Sequence, residues 1–161
     1  MKRFQLAQIN IARFVHPKDA SINAEFMAAL DPVNAKAELA PGFVWRLIGD
    51  DNDATDIVVD NDPRLIVNLS VWDDMEALSN FVYRQSDHLA IMRRRKEWFE
   101  KIDVFMALWW VPAGHIPNLA EGMEKIAWIA SRGATAQAFS FREPFDAPDE
   151  TSETSTFEKC A

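Results

Sequence analysis

The chain has 161 residues, a formal net charge of −8 and 48% hydrophobic residues. This length is typical of one domain with a sizeable core, and the acidic balance argues against binding to nucleic acid or an anionic membrane. No apolar run reaches the roughly 20 residues of a membrane-spanning helix, and Gln5, Gln8 and Asn10 interrupt any signal-like segment. The lone cysteine, Cys160, has no intrachain partner, which favours a reducing, cytoplasmic setting.

Hydrophobic patterning predicts four strands that are largely apolar on both faces. They cover residues 4–14, 43–48, 65–72 and 104–111. The connection between the second and third strands is long for a hairpin and is rich in Asp and Asn. It is therefore expected to be an elaborated hairpin connection rather than a tight turn.

Helical spacing of apolar residues predicts two helices between these strands. The first covers residues 22–39, and Pro32 should kink or split it. The second begins at Asp73, a candidate N-cap with Glu76 three residues further on. Helical character continues after Ser86 and Asp87 to Trp98, and a roughly continuous helix over residues 84–99 is the premise for one group of candidate site residues.

A third helix follows the last strand, with Asn118 and Glu121 at its start and Gly133 at its end. Its predicted buried face consists of Leu119, Met123, Ile126 and Ile129. Residues 139–145 are expected to be a short extended piece. The acidic, Ser/Thr-rich residues 146–161 are expected to be a disordered tail.

The element order is strand, helix, strand, strand, helix, strand, which is the ferredoxin-like, split βαβ arrangement of an α+β domain. We therefore expect a single domain over residues 1–145 with an antiparallel sheet and an extra C-terminal helix. Two helices on one face leave the other apolar face uncovered. The leading expectation is that a second copy of the sheet covers it in a homodimer joined through its sheets, and the alternative is that the third helix of the same chain covers it.

Trp109 and Trp110 end the fourth strand and are followed by a Pro/Gly turn with His115. Adjacent strand residues point to opposite faces, so one indole should face the helices and the other the barrel interior or a partner. His115 has either a functional role at a ligand mouth or a structural role in the turn.

Polar residues interrupt the apolar strands and indicate a ligand site. They are Gln8, Asn10, Arg46, Asn68 and Ser70. The alternative is that they hydrogen-bond to one another or lie in solvent near strand ends.

A second group of residues shares one face of the predicted helix over residues 84–99. It consists of Arg84, His88, Met92, Arg95 and Phe99. Its guanidinium groups are suited to a carboxylate or phosphate, and His88 is suited to proton transfer or to axial ligation of haem iron. The alternative is a solvated basic face paired with the chain's many carboxylates.

Other sequence motifs give little indication of a function. The three histidines have no metal-site spacing, so no metal site is predicted. Asp51, Asp53 and Thr55 resemble a calcium loop only weakly. The chain has no glycine-rich phosphate loop and no nucleophile elbow.

Several segments together resemble a bacterial family of domains of unknown function in the dimeric α/β-barrel superfamily. They read FQLAQINIARF, PGFVWRLIGD, RLIVNLSVWDDMEALSNFVYR, RRRKEWFE and LWWVPAGHIP. The superfamily includes antibiotic-biosynthesis-type monooxygenases, haem-degrading enzymes and stress-response barrels, and the pattern is more distantly similar to the spheroidene monooxygenase group. Family-typical positions are Trp45, Arg46, Asn68, Trp72, Tyr83, Arg84, His88, Trp98, Trp109, Trp110 and His115.

The leading hypothesis is a small-molecule enzyme of monooxygenase-like or other oxidative activity on an apolar or aromatic substrate, with either no cofactor or haem. His88 and Arg84 are the predicted catalytic residues, and Arg84 with Arg46 would hold an anionic group. Predicted substrate-binding residues are Arg46, Asn68, Asn10, Arg95, Trp98, Trp109, Trp110 and His115. The competing hypothesis is a non-catalytic ligand-binding or stress-associated homodimer.

Overall fold

The computed structural model describes residues 3–148 and forms one four-stranded sheet with five α-helices. The strands are β1 (Phe4–Arg13), β2 (Phe43–Arg46), β3 (Leu65–Trp72) and β4 (Met106–Pro112). The helices are α1 (Ala24–Leu39), α2 (Met75–Arg84), α3 (Ser86–Arg93), α4 (Arg95–Trp98) and α5 (Leu119–Arg132). The strand order is β2-β3-β1-β4 with every neighbouring pair antiparallel, which confirms the ferredoxin-like α+β prediction.

Strand alternation separates the sheet into two faces of different chemistry. On the front face, Gln8 lies opposite Ser70, and Asn10 lies opposite Asn68. Arg46 on β2 extends this polar group to the sheet edge, because it pairs with Ser70. The back face carries the apolar residues between them, which are Ala7, Ile9, Val67, Leu69, Val71, Ala107, Trp109 and Val111.

The back face is buried within the single chain. Helix α5 packs its apolar stripe against β1 and β4, and a Cβ added at Gly122 would lie 2.6 Å from Ile9 Cδ1. Ala54, Ile57 and Val59 from the β2–β3 connection belong to the same cluster. The back face is therefore covered by the alternative, the extra helix, and not by a second copy of the sheet as the leading expectation had it. The homodimer stays a prediction.

The front face is covered by α1, α2 and α3 through two separate apolar clusters. One joins Leu6, Trp72, Leu78, Leu108 and Phe139, and the other joins Phe14, Phe26, Ile66 and Trp98. The polar residues of β1 and β3 lie between them. Because amides and hydroxyls do not fill the space under the helices as large apolar side chains would, an open volume lies above them.

The predicted helix over residues 84–99 is wrong in its continuity. Gln85 has an extended backbone and ends α2, and its side-chain oxygen accepts a hydrogen bond from His88 N at the start of α3. A second break at Arg94 separates α3 from α4. Hydrophobic periodicity does not reveal the break at Gln85, because a polar residue at that position is equally compatible with the exposed face of a continuous helix and with the N-cap of a new one.

Other boundaries also differ from the sequence-based expectations. Helix α1 continues through Pro32, which does not split it. The predicted extended piece over residues 139–145 has only an isolated bridge between Leu108 and Phe139. Strand β2 ends two residues early, and β4 is displaced toward the C-terminus. Most of the predicted tail, residues 149–161 with Cys160, lies outside the described residues.

The N-cap of α2 is Asp74, and the predicted Asp73 is wrong by one position. Asp74 Oδ1 accepts a hydrogen bond from Ala77 N at 2.8 Å. We expect Asp74→Ala to lower the free energy of unfolding by about 1 kcal/mol, because a helix amide loses its acceptor. Asp73→Ala is the matched control, with an expected change below about 0.5 kcal/mol. Urea denaturation measures both, and equal losses would contradict the cap assignment.

Candidate functional site

A cavity of about 340 Å³ lies between the front face of the sheet and helices α1 to α3. This volume is at the lower end of those that bind small molecules. Most of its wall is apolar and aromatic, and includes Phe26, Leu30, Val33, Phe43, Ile66, Trp72, Phe81, Ile91, Phe99, Phe105 and Phe141. The sheet supplies the floor and the helices supply the roof.

The floor is a hydrogen-bonded polar group. Gln8 Nε2 donates to Asn68 Oδ1 and, at 2.7 Å, to Ser70 Oγ. Trp72 Nε1 also donates to Ser70 Oγ at 2.9 Å. Part of the floor is therefore self-satisfied, as one reading of the sequence expected. These bonds also orient the groups that remain for a ligand.

Asn68 and Asn10 present the remaining amide groups of the floor. Asn68 is exposed although its neighbours on the central strand β3 are buried, because the cavity opens above it. Its Oδ1 is held by Gln8, so its Nδ2 hydrogens are left for a ligand. The side chain of Asn10 has no hydrogen-bond partner among residues 3–148, and it lines the same cavity.

His88 lies in the roof with its tautomer set by a backbone contact. Its Nδ1 is 3.1 Å from the carbonyl oxygen of Val82, which can only accept, so Nδ1 carries the proton. Burial lowers the pKa of His88, and the hydrogen bond to Val82 opposes this only in part. The neutral ring therefore presents an unprotonated Nε2, which is suited to accept a proton or to ligate a metal.

Arg46 is buried at the sheet edge and is already paired. Its Nε donates to Glu38 Oε1 at 2.7 Å, and its Nη2 donates to Asn52 Oδ1 at 3.1 Å. Helix α1 and the β2–β3 connection thus meet on this guanidinium. Sequence reasoning missed Glu38 and Asn52, because neither has a distinctive local pattern. The packing of α1 against β2 brings Glu38 to Arg46, and the path of the β2–β3 connection brings Asn52 there.

Arg95 is the second guanidinium of the cavity, and it lies over the ring of Phe105 at 4.4 Å from the ring centre. No carboxylate is within ion-pairing distance of it in the part of the chain that the structure describes. Phe105 precedes Met106, which pairs with Asn10 across the sheet. Arg95 and Asn10 therefore lie at the same end of the cavity.

Arg84 lies away from the cavity. It is exposed at the end of α2 and lines a separate surface groove with Lys36 and Leu39. The prediction that Arg84 and Arg46 hold one anion together is wrong. The chain turns at Gln85, so Arg84 points away from the cavity, and Arg46 is bound to Glu38.

The remaining aromatic and histidine candidates also lie outside the cavity wall. Trp98 is buried in the cluster of Phe14 and Phe26. Trp109 and Trp110 do point to opposite faces, but Trp109 Nε1 donates to Glu121 and Trp110 Nε1 to the Phe145 carbonyl. His115 Nε2 is 2.8 Å from Glu121 Oε1, so Glu121 at the start of α5 binds both Trp109 and His115. Neither tryptophan walls the cavity.

The cavity brings together five of the ten predicted residues, which are Asn10, Arg46, Asn68, His88 and Arg95. Among residues 3–148, no group of three or more His, Cys, Asp or Glu side chains converges as a metal site. Within the same residues, none of the helices has the length and apolar character needed to cross a membrane.

Comparison with known proteins agrees with this architecture. No curated protein matches the chain. A protein assigned as an antibiotic biosynthesis monooxygenase from Nitrosomonas europaea is 11% identical, with a TM-score of 0.50 over 73% of this chain and 98% of that one. At this identity the likeness shows the fold alone.

Two further solved structures are similar at lower TM-scores. Protein SO0527 from Shewanella oneidensis is 11% identical, with a TM-score of 0.48 over 68% of this chain and 91% of that chain. A cofactor-independent oxygenase from Streptomyces nogalater is 15% identical, with a TM-score of 0.46 over 71% and 97%. The family described as Domain of unknown function (DUF3291) matches residues 5–155. Because that match spans nearly all of the 161 residues, the protein belongs to the DUF3291 family.

Proposed function

We propose that the protein is a monooxygenase-like oxidative enzyme acting on an aromatic small molecule held in the front-face cavity. The observation that carries the proposal is the unprotonated Nε2 of His88 in the roof of a mainly apolar cavity with an amide floor. Such a site can remove a proton from an apolar substrate and then stabilise the resulting oxyanion. The structural likeness to the Nitrosomonas europaea protein, which is assigned as an antibiotic biosynthesis monooxygenase, is consistent with this class of reaction.

Aromatic rings in the wall favour a planar substrate. Trp72 and Phe81 are stacked with ring centres 5.3 Å apart, and the ring of His88 lies 5.2 Å from that of Phe81. A flat substrate packed against this wall gains the contact energy of aromatic pairs. It also lies between His88 and the amides of the floor.

The chemistry that fits these groups is oxygenation of a phenol. His88 Nε2 accepts the phenolic proton, and the Asn68 amide hydrogens face the resulting oxyanion. The electron-rich ring then reacts with O₂. One oxygen atom becomes a ring carbonyl, and the other leaves as water with the hydroxyl and ring hydrogens. The substrate therefore supplies all four electrons that reduce O₂ and is oxidised to a quinone.

Haem is the cofactor that the sequence left open, and His88 is the residue that fits it. A ligating histidine usually donates its other ring N–H to a carbonyl or carboxylate, as His88 does to Val82. When bound, haem would supply activation of O₂. An absorption spectrum of protein expressed with haem supplied distinguishes this route, since a Soret band should then appear and be lost in His88→Ala.

Oxygen uptake with 1-naphthol tests the enzymatic proposal, with quinone formation followed by absorbance. Ala29→Trp should abolish it, because Ala29 on α1 lines the cavity and a large ring would fill the space. Ala28→Trp on the exposed side of the same helix is the matched control and should retain activity. Binding of 1-naphthol without oxygen uptake, with or without haem, would refute the enzyme and indicate a ligand-binding protein.

The homodimer is retained as a proposal, with a changed interface. Because α5 buries the back face of the sheet, any dimer would use another surface. Sedimentation velocity at micromolar concentration tests it, and a single monomeric species would refute it.

A further inference from the structure

We propose that the cavity ligand is an aromatic carboxylate, whose carboxylate binds to Arg95 and Asn10 while its ring lies toward Trp72 and Phe81. This deepens the proposed function, on which it rests only in taking the same cavity as the ligand site. The sequence placed the anion between Arg84 and Arg46. The structure moves it to the other end of the floor.

The cavity contains one guanidinium whose charge is not balanced by a protein carboxylate. Arg46 is paired with Glu38, whereas Arg95 contacts Phe105 and has no ion-pair partner among residues 3–148. An aromatic ring attracts a cation but does not neutralise its charge. Because a partly buried, permanently charged guanidinium is costly without a partner, a ligand carboxylate would supply the missing counter-charge.

The other charged and titratable groups of the cavity leave this position to a ligand. Asp53 lines the cavity, but its Oδ1 accepts from both the backbone N and the hydroxyl of Thr55. His88 and Tyr83 also line it, and His88 donates to the Val82 carbonyl. None of these groups is a described ion-pair partner of Arg95.

The position of Arg95 also suits two-point recognition. A guanidinium binds a carboxylate through two parallel N–H donors, and the Asn10 amide at the same end of the cavity offers a further donor. A ring attached to that carboxylate would extend along the floor toward the Trp72–Phe81 stack and pass beneath His88. The carboxylate thus fixes which ring atom is presented to His88, which makes Arg95 a specificity-determining residue.

Calorimetric titration with 2-naphthoate and its uncharged counterpart 2-naphthamide tests the proposal. The wild-type protein should bind the carboxylate about tenfold or more tightly than the amide, as expected for a charge-assisted hydrogen-bonded pair. Arg95→Gln should remove this preference without weakening the amide, and Arg95→Lys should retain part of it. Arg93→Gln makes the same charge change at an exposed position off the cavity and should retain it fully.

Several outcomes would overturn the proposal. These are equal binding of the two compounds by the wild type, an unchanged preference in Arg95→Gln, an equal loss in Arg93→Gln, or no binding of either compound at millimolar concentration. Circular dichroism of each variant separates loss of binding from loss of folding, and Arg95→Lys tests the position with the positive charge kept.

Failure of this proposal is distinguishable from failure of the proposed function. Carboxylate preference that depends on Arg95 without any oxygen uptake refutes only the enzyme. Oxygen uptake with neutral phenols that is unchanged in Arg95→Gln, together with no carboxylate preference, refutes only the anion site.

Discussion

Replacing His88 by glutamine is expected to lower the turnover of a phenolic substrate by about a hundredfold or more, the usual contribution of a general base. Glutamine keeps a polar side chain of similar reach, but its amide does not accept a proton at neutral pH. Oxygen uptake at saturating substrate measures the loss. His115→Gln is the matched control, because His115 is exposed and bonded to Glu121, and this variant should keep wild-type turnover.

The pH profile gives an independent check on His88. Burial lowers its pKa below the usual value of about 6.5, so the neutral, proton-accepting form persists at neutral and mildly acidic pH. Activity should therefore be constant above about pH 6.5 and fall only as the pH drops through the lowered pKa of His88. A loss of activity that begins well above pH 6.5, or the same acid limb in His88→Gln, would contradict its role as the base.

Gly42→Ala is expected to lower the free energy of unfolding by about 3 kcal/mol, the sum of backbone strain and overpacking. Gly42 precedes β2 with φ at +85°, where a side chain is disfavoured. A Cβ there would lie 2.4 Å from Ala77 Cβ on α2, and Ala77 has no rotamer with which to move aside. The Gly42 carbonyl also accepts from Asp73 N at 2.7 Å, which limits backbone adjustment.

Gly114→Ala separates the two contributions. Gly114 has a similar φ of +91°, but nothing lies within 4 Å of a Cβ at that position. Only the strain of about 1–2 kcal/mol should remain. Urea denaturation midpoints of the two variants measure the difference. Equal losses would show that the contact between the β2 entry and α2 does not limit stability.

The sequence predicted the floor of the cavity well, because strand periodicity is strict. Residues two apart on one strand share a face, so polar interruptions such as Gln8 and Asn10 on β1 had to lie together. Antiparallel pairing then brings Asn68 and Ser70 opposite them. Which of these groups satisfy one another depends on side-chain rotamers, and alternation carries no information about those.

The roof was predicted less well, because helix faces depend on where a helix begins. His88 and Arg95 reach the cavity, but Arg84 does not, since Gln85 starts a new helix axis. Trp109 was expected near the ligand. Whether Trp109 faces the cavity or the opposite side depends on which face of the sheet α5 covers. Trp109 lies on the face covered by α5, and its indole donates a hydrogen bond to Glu121 of that helix.

The sequence by itself determined the element order, the ferredoxin-like fold, the polar positions that interrupt the apolar strands and the apolar stripe of α5, because local periodicity and capping encode each of them. Only the tertiary structure decided that α5 of the same chain buries the back face, that Glu38 occupies Arg46, and that Arg95 is left without a carboxylate. These outcomes depend on distances between residues far apart in the chain. Patterns within a single strand or helix do not specify such distances.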